Sequence, residues 1–429
     1  MKCAVYTLGC KVNHYESRAI TQDLERNGFV SVAPSEEADV YIINSCTVTA
    51  ESDRKTRQAV RRFKKNHPSS ITVLTGCMVQ AFPESEKDLP EADIIVGNRN
   101  SESIYGLIMQ FIGNPHRIVS IQPHRTGDRF TGGTVSSYSD KTRAVIKIED
   151  GCNRFCSYCI IPYARGRVRS KPLDEIAAEA KTLAGNGFKE AVLVGINLSA
   201  YGSDISSDLV SAVRTVAEID GIERVRLGSL EPDHITPQVI DGLSKIKEFC
   251  PQFHISLQSG CDKTLKKMNR HYGTIEYEDL CTALRNTFPD VTLTTDVMVG
   301  FPGETQSDFN ISLDFVKRTG FEKVHVFPYS RRPGTPAANM DSQVENAEKQ
   351  RRCEIMMTEC EKIRQRYLER QIGRVLEIIP EENHGGETKG YTANYTPVTV
   401  RGSCAFGEIT KVRITGVEND CCIGELYNS

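Results

Sequence analysis

The 429-residue chain has no apolar run approaching the length of a membrane span, which argues against a spanning helix. Its first residues, MKCAVYTLGCKVN, include a lysine but no apolar stretch followed by a small-residue cleavage site. They read as a strand of a folded domain, so the expected location is the cytoplasm, with no membrane partner. Tandem repeats and low-complexity tracts are also missing, and with them the solenoid and array architectures. A net charge of −3 rules out a uniformly basic surface, so any nucleic acid must be held by local patches. What is present is an ordinary globular composition, 39% hydrophobic and 25% charged, in a chain long enough for two or three domains. The fifteen cysteines suit metal or redox chemistry better than a disulfide scaffold in such a chain.

Residues 1–121 alternate short β-branched runs (4–8, 40–43, 72–74, 94–96) with helical stretches at 16–26 and 54–65. That pattern predicts an open parallel α/β sheet. The first three runs each end in a cysteine: Cys10, Cys46 and Cys77. Ligands of open α/β sheets bind outside the carboxyl ends of the strands. Singly, each thiol reads as a small buried hydrophobe. Three at one topological position suggest a three-cysteine metal site.

The stretch 122–141 is rich in Gly, Ser and Thr without apolar period and reads as a linker. Over 142–365 six further β/α units predict a partial parallel barrel, (β/α)6, with its site at the carboxyl ends of the strands. A charged helix near 344–371 precedes residues 366–429, whose five short strands and turns predict a small antiparallel β-barrel, a common nucleic-acid-binding form. The fold class is therefore α/β, with a β-barrel at the end.

The reactive stretch is VIKIEDGCNRFCSYCIIPYARGRVRSKP at 145–172. Cys152, Cys156 and Cys159 stand at C-x3-C-x2-C spacing in the loop leaving the first barrel strand. Thiolates are strong soft-metal ligands, and three in one loop can converge on one face of an iron–sulfur cube, leaving one iron open. Structural zinc closes with four ligands, yet the next cysteine is Cys250 and the next histidine His234. The bacterial ferredoxin run C-x2-C-x2-C-x3-C-P is absent.

This spacing, with Tyr158 before the last cysteine, resembles that of radical S-adenosylmethionine enzymes. The stretches GINLSAYG (195–202), LGSLEP (227–232), SLQSGCDKTLKKMNRHY (256–272), TTDVMVGFPGET (294–305) and FPYSRRPGTPAA (327–338) resemble the methylthiotransferase branch, and the closing barrel resembles the TRAM domain. TLGCKVN is most similar to the MtaB group, since sister groups carry other residues after that Gly-Cys. The resemblance implies methylthiolation of C2 of N6-threonylcarbamoyladenosine beside the tRNA anticodon. It further implies two [4Fe–4S] clusters: one on Cys152, Cys156 and Cys159 that cleaves S-adenosylmethionine to a radical, and an auxiliary one on Cys10, Cys46 and Cys77 that carries the sulfur. One S-adenosylmethionine would donate the methyl group and a second the radical, which an unactivated carbon requires. An electron donor such as flavodoxin or ferredoxin and a sulfur donor are implied partners. The same chemistry on isopentenyladenosine or on a ribosomal protein, and a non-catalytic iron–sulfur RNA-binding module, are the alternatives.

Tyr158 of the cysteine loop and the strand-end residues Asn197, Ser229, Glu231 and Gln258 are the expected cofactor contacts, with Val299, Phe301 and Phe327 against the adenine. Arg165, Arg167, Arg169 and Lys171, beside the cysteine loop, are the expected RNA-phosphate contacts, with the basic residues of 54–65 as a second patch.

Overall fold

A computed structural model describes residues 1–138 and 142–427, apart from the side chain of His384. The N-terminal unit is a six-stranded, all-parallel sheet in the order Val30–Ser31, Lys2–Thr7, Val40–Ser45, Ile71–Gly76, Ile94–Val96, Ile118–Ser120. The three strands that lead to cysteines are adjacent in this sheet. Apolar clusters cover both its faces, with Val40, Ile42 and Val73 on one and Tyr41, Ile43 and Leu74 on the other, which is why its strands read as continuous apolar runs. The first helix, Lys11–Arg26, starts earlier than its composition suggested, because Gly9 at φ +113° turns the chain sharply and puts Cys10, in extended backbone, at the N-cap position.

Segment 122–138 connects the two sheets as a packed strap: Val135 is buried, its amide donates to Glu179, and Tyr138 donates to the Val145 carbonyl. Residues 139–141 of the expected linker lie outside the described residues, as do 428–429 of the terminal segment.

The central strands follow one another around a parallel half-barrel: Arg143–Lys147, Glu190–Val194, Arg224–Leu227, Ser229–Leu230, Gln252–Ile255, Thr292–Val299 and Lys323–Pro328. Gly228 breaks the third of these, so that Arg224–Leu227 pairs with the strand before it and Ser229–Leu230 with the strand after it. Helices such as Leu173–Gly185, with Ile176, Ala180 and Leu183 inward, cover the outside. No helix among the described residues is long and apolar enough to cross a membrane.

Helix Asn346–Glu369 leads into a closed five-stranded barrel. It is antiparallel except where Pro397–Arg401 meets Cys421–Leu426 in parallel. Its hairpin loop plugs the amino end of the half-barrel. Arg226 donates to the Ala393 and Thr392 carbonyls at 2.9 and 3.2 Å, and Arg143 lies 5.1 Å from the stacked rings of Tyr391 and Tyr395. The opposite, carboxyl end is thereby left to the cysteine loop and the N-terminal sheet.

Candidate active site

The three N-terminal cysteine loops are tied together by a few polar side chains. The Asn13 amide donates to the Leu8 and Ser45 carbonyls at 2.9 Å each, joining the loops of Cys10 and Cys46. The Met78 amide donates to Ser45 Oγ at 3.1 Å, joining the loop of Cys77 to them. A Cβ on Gly9 would sit 2.8 Å from the Cys46 Cβ, and one on Gly76 2.5 Å from the Ser45 backbone, so these positions admit only glycine. Burial pushes the Cys77 thiol up to about 12, and the neighbouring thiols of Cys46 and Cys10 add to the rise. Among the described residues no three His, Cys, Asp or Glu side chains converge on a point that would seat a single ion.

In the second loop, Gly151 at φ +92° brings the chain against residues 166–167: its Cβ position is 2.0 Å from the Arg167 carbonyl oxygen. The Cys152 amide donates to the Gly166 carbonyl and the Cys159 amide to that of Cys156, both at 3.0 Å. Burial pushes the Cys152 and Cys159 thiols up to about 12, so ligation by either must release a proton.

At the carboxyl ends of the strands, buried polar atoms stand without partners: Asn197 Oδ1, Gln258 Oε1 and Glu149 Oε1. Unpaired buried acceptors are costly and mark a place for a polar ligand. Gln258 is held at φ +65°, and Glu149 Oε2 fixes the Asn197 amide at 2.7 Å. Apolar side chains supply the complement. Tyr158 meets Phe301 edge-on at 6.4 Å and Phe301 meets Tyr329 at 5.5 Å, with Met298, Met268 and Phe327 around them. Val299 is buried in the main core of the half-barrel instead. Ser229 is exposed. Polar acceptors beside an aromatic wall fit the amino-acid and adenine ends of S-adenosylmethionine.

Glu231 is paired with Arg270, whose Nη1 also donates to Cys156 Sγ at 3.3 Å. Arg270 was not singled out from sequence, although it lies within SLQSGCDKTLKKMNRHY; in the polar run KKMNRHY nothing local sets it apart from Lys266 and Lys267. Asn13, Glu149 and Arg332 were missed as well. Buried Arg332 joins the last barrel strand's loop to the N-terminal unit, donating to Asp53 at 2.6 Å and Thr47 at 2.8 Å.

Three of the four expected phosphate contacts are corrected. Arg165 is fully buried and donates to Cys77 Sγ at 3.1 Å, Asn13 Oδ1 at 3.0 Å and Glu16 Oε2 at 2.9 Å. Arg169 is buried against Asp150 and the carbonyls of Arg165 and Arg167. Lys171 is buried in an ion pair with Glu179. Buried and paired, none of the three can reach a phosphate. Only Arg167 is exposed, its guanidinium 4.9 Å over the Phe155 ring. On the helix Ala50–Asn66, Arg54, Lys55, Arg61 and Lys64 are in ion pairs with acids, a solvated face.

Comparison with known proteins agrees with this geometry. Residues 2–97 match the uncharacterized protein family UPF0004 and residues 146–316 the radical SAM superfamily. The chain is 38% identical over 422 residues to the threonylcarbamoyladenosine tRNA methylthiotransferase MtaB of Bacillus subtilis (strain 168), covering 96% of this chain and 93% of that protein. The chain belongs to the radical S-adenosylmethionine methylthiotransferases. Within this family it is 35% identical to MtaB of Thermotoga maritima, and also 35% identical to the tRNA-2-methylthio-N(6)-dimethylallyladenosine synthase of Pelotomaculum thermopropionicum, each over 97% of this chain and 95% of the relative. Among solved structures, the radical S-adenosylmethionine methyltransferase TsrM of Kitasatospora setae superposes with a TM-score of 0.58 at 14% identity, over 79% of this chain and 74% of that one. That likeness is one of fold. As a member of the family the chain is a transferase whose central domain works with an iron–sulfur cluster and S-adenosylmethionine.

Proposed function

We propose that this methylthiotransferase acts on tRNA, converting N6-threonylcarbamoyladenosine beside the anticodon to its 2-methylthio form with two [4Fe–4S] clusters. The domains would divide the work: 1–121 for the auxiliary cluster, 142–365 for radical generation and 366–429 for RNA, with 122–141 as the linker. The observation that carries the reading is Arg165. It ends the short helix after Cys159 and donates to Cys77, so the two cysteine sites stand side by side. When bound, the clusters and S-adenosylmethionine would supply the radical that activates C2 and the sulfur and methyl group added there. Cys152, Cys156 and Cys159 would hold one cluster and Cys10, Cys46 and Cys77 the other, each leaving an iron free. Asn197, Gln258 and Glu231 would orient the cofactor's polar end, while Tyr158, Phe301 and Phe327 would exclude water from its adenine. Arg167 and Phe155 would meet the RNA, where a splayed base is read by stacking.

The name of the Bacillus subtilis relative and the TLGCKVN motif support the threonylcarbamoyl substrate over the dimethylallyl one. Incubating the reconstituted enzyme with reductant, S-adenosylmethionine and tRNA carrying either nucleoside separates them. Product on the threonylcarbamoyl form is expected. Product on the dimethylallyl form alone, on a ribosomal protein, or on no substrate despite cluster loading would overturn the assignment.

A further inference from the structure

Between the half-barrel and the small β-barrel lies a cavity of about 720 Å³, lined from the N-terminal unit by one residue, Lys11. Lys11 follows Cys10 directly, so its backbone adjoins one thiol of the proposed sulfur-carrying site. Its side chain runs toward the inside of the half-barrel, where its charge is felt by Arg143, Glu190, Arg226 and Tyr395. The cavity's other arginines, and its Lys323, already have carboxylate partners: Arg226 with Glu190, Lys323 and Arg364 with Asp420. Lys11 and Lys389 have no ion pair among the described residues; Lys389 lies toward Cys421 of the small barrel, and Lys11 alone adjoins one of the six proposed cluster thiols. An unpaired ammonium in a water-accessible hollow is placed to receive an anion, since the acid whose charge reaches it, Glu190, is already paired with Arg226.

We infer that Lys11 is a specificity-determining residue that binds the free carboxylate of the substrate's threonyl group. The inference rests on the proposed threonylcarbamoyl substrate. That substrate differs from an alkylated adenosine in carrying a carboxylate at the end of its N6 substituent. A base that offers C2 to sulfur held beside Cys10 has its N6 arm several bonds away along the ring edge, a span the four-carbon lysine stem bridges. A dimethylallyl group has no charge for Lys11 to meet, and it leaves the ammonium without an ion-pair partner. Discrimination then comes from both sides, a charge-assisted hydrogen bond for one substrate and none for the other.

The test uses the full chain with both clusters reconstituted and anticodon stem-loops carrying N6-threonylcarbamoyladenosine, its threonine amide, or plain adenosine. Binding is measured by fluorescence anisotropy without S-adenosylmethionine, and kcat/KM is measured with it. Wild type is expected to favour the carboxylate over the amide by about 10- to 100-fold, the range of one charge-assisted hydrogen bond. In Lys11→Met that ratio is expected to fall to near one, and Lys11→Arg is expected to restore most of it. Cluster content read by absorbance and EPR guards against a folding defect; a Lys11→Met preparation short of clusters is replaced by Lys11→Gln. A ratio unchanged in the variant overturns the inference and leaves the substrate assignment standing. An equal loss on all three stem-loops shows an RNA-phosphate contact and overturns it too. Wild type that makes no product on the threonylcarbamoyl form refutes the substrate assignment itself.

Discussion

Gly151 and Arg165 show how tightly single residues hold the two cysteine sites. With φ +92° and a Cβ position 2.0 Å from a backbone oxygen, Gly151 has no room for a side chain. Gly151→Ala is expected to push the C-x3-C-x2-C loop away from residues 166–167. Iron quantification should then find one cluster's worth lost while the site of Cys10, Cys46 and Cys77 keeps its own. Arg165 is a different case, a buried charge facing Glu16 and Asp150, with Lys147 pairing to both acids from the barrel strand. Removing one member of such a group leaves the others buried and underpaired, at a cost of about 3–5 kcal/mol. Arg165→Met should lower the stability of the apoprotein in urea by that order. Arg165→Lys should lose less, keeping the charge but not the forked geometry. Unchanged stability in Arg165→Met would remove the network from the account. The basic run from Arg165 to Lys171 read as an RNA face because its acids lie outside the run: Glu16 comes from the first helix, Asp150 from before the cysteine loop, and Glu179 from the helix after it. Charge alternation along a chain carries no information on which partners the fold will bring.

The elements that position the site rest on local devices that a sequence displays more openly. Helix Gln306–Thr319 starts with a reciprocal cap in which Thr305 accepts from the Asp308 amide and Asp308 accepts from that of Thr305. Burial raises the Asp308 pKa, but hydrogen bonds from Lys263 and Thr305 outweigh it and bring the carboxyl to about 2, against 3.8 in the unfolded chain. Its stabilisation is therefore complete above the unfolded value and is lost as pH falls through the folded one. Asp308→Asn should be less stable than wild type at pH 6, by an amount near the ~1 kcal/mol typical of a lost cap, about fivefold in equilibrium constant. The gap should close between pH 4 and pH 2; a constant gap would mean that packing and not charge is responsible. β-Branched runs announced the main strands, and the cysteines at their ends suggested the auxiliary site proposed for them. Val30–Ser31 and Ile118–Ser120 escaped notice because edge strands of two or three residues show no period. The parallel pair in the terminal barrel was equally hidden, since pairing direction depends on connections that strand composition does not encode.

At the scale of the molecule, the half-barrel is stopped at one end by the small barrel and covered at the other by the N-terminal sheet. Arg332 and Arg165 fasten the second contact, and Arg226 and the Arg143–tyrosine stack fasten the first. None of these four arginines has a local partner in sequence, so the motifs named the chemistry while the fold alone set the sites beside one another. The central claim is that both three-cysteine sites serve one methylthiolation of a threonylcarbamoyl base in tRNA. Nucleoside mass spectrometry of tRNA from a strain lacking the gene, complemented with wild type or with Cys46→Ala, tests it directly. The 2-methylthio nucleoside should vanish on deletion, return with wild type and stay absent with Cys46→Ala, leaving unmodified N6-threonylcarbamoyladenosine in its place. Its persistence in the deletion strain, or its return with Cys46→Ala, would contradict the claim.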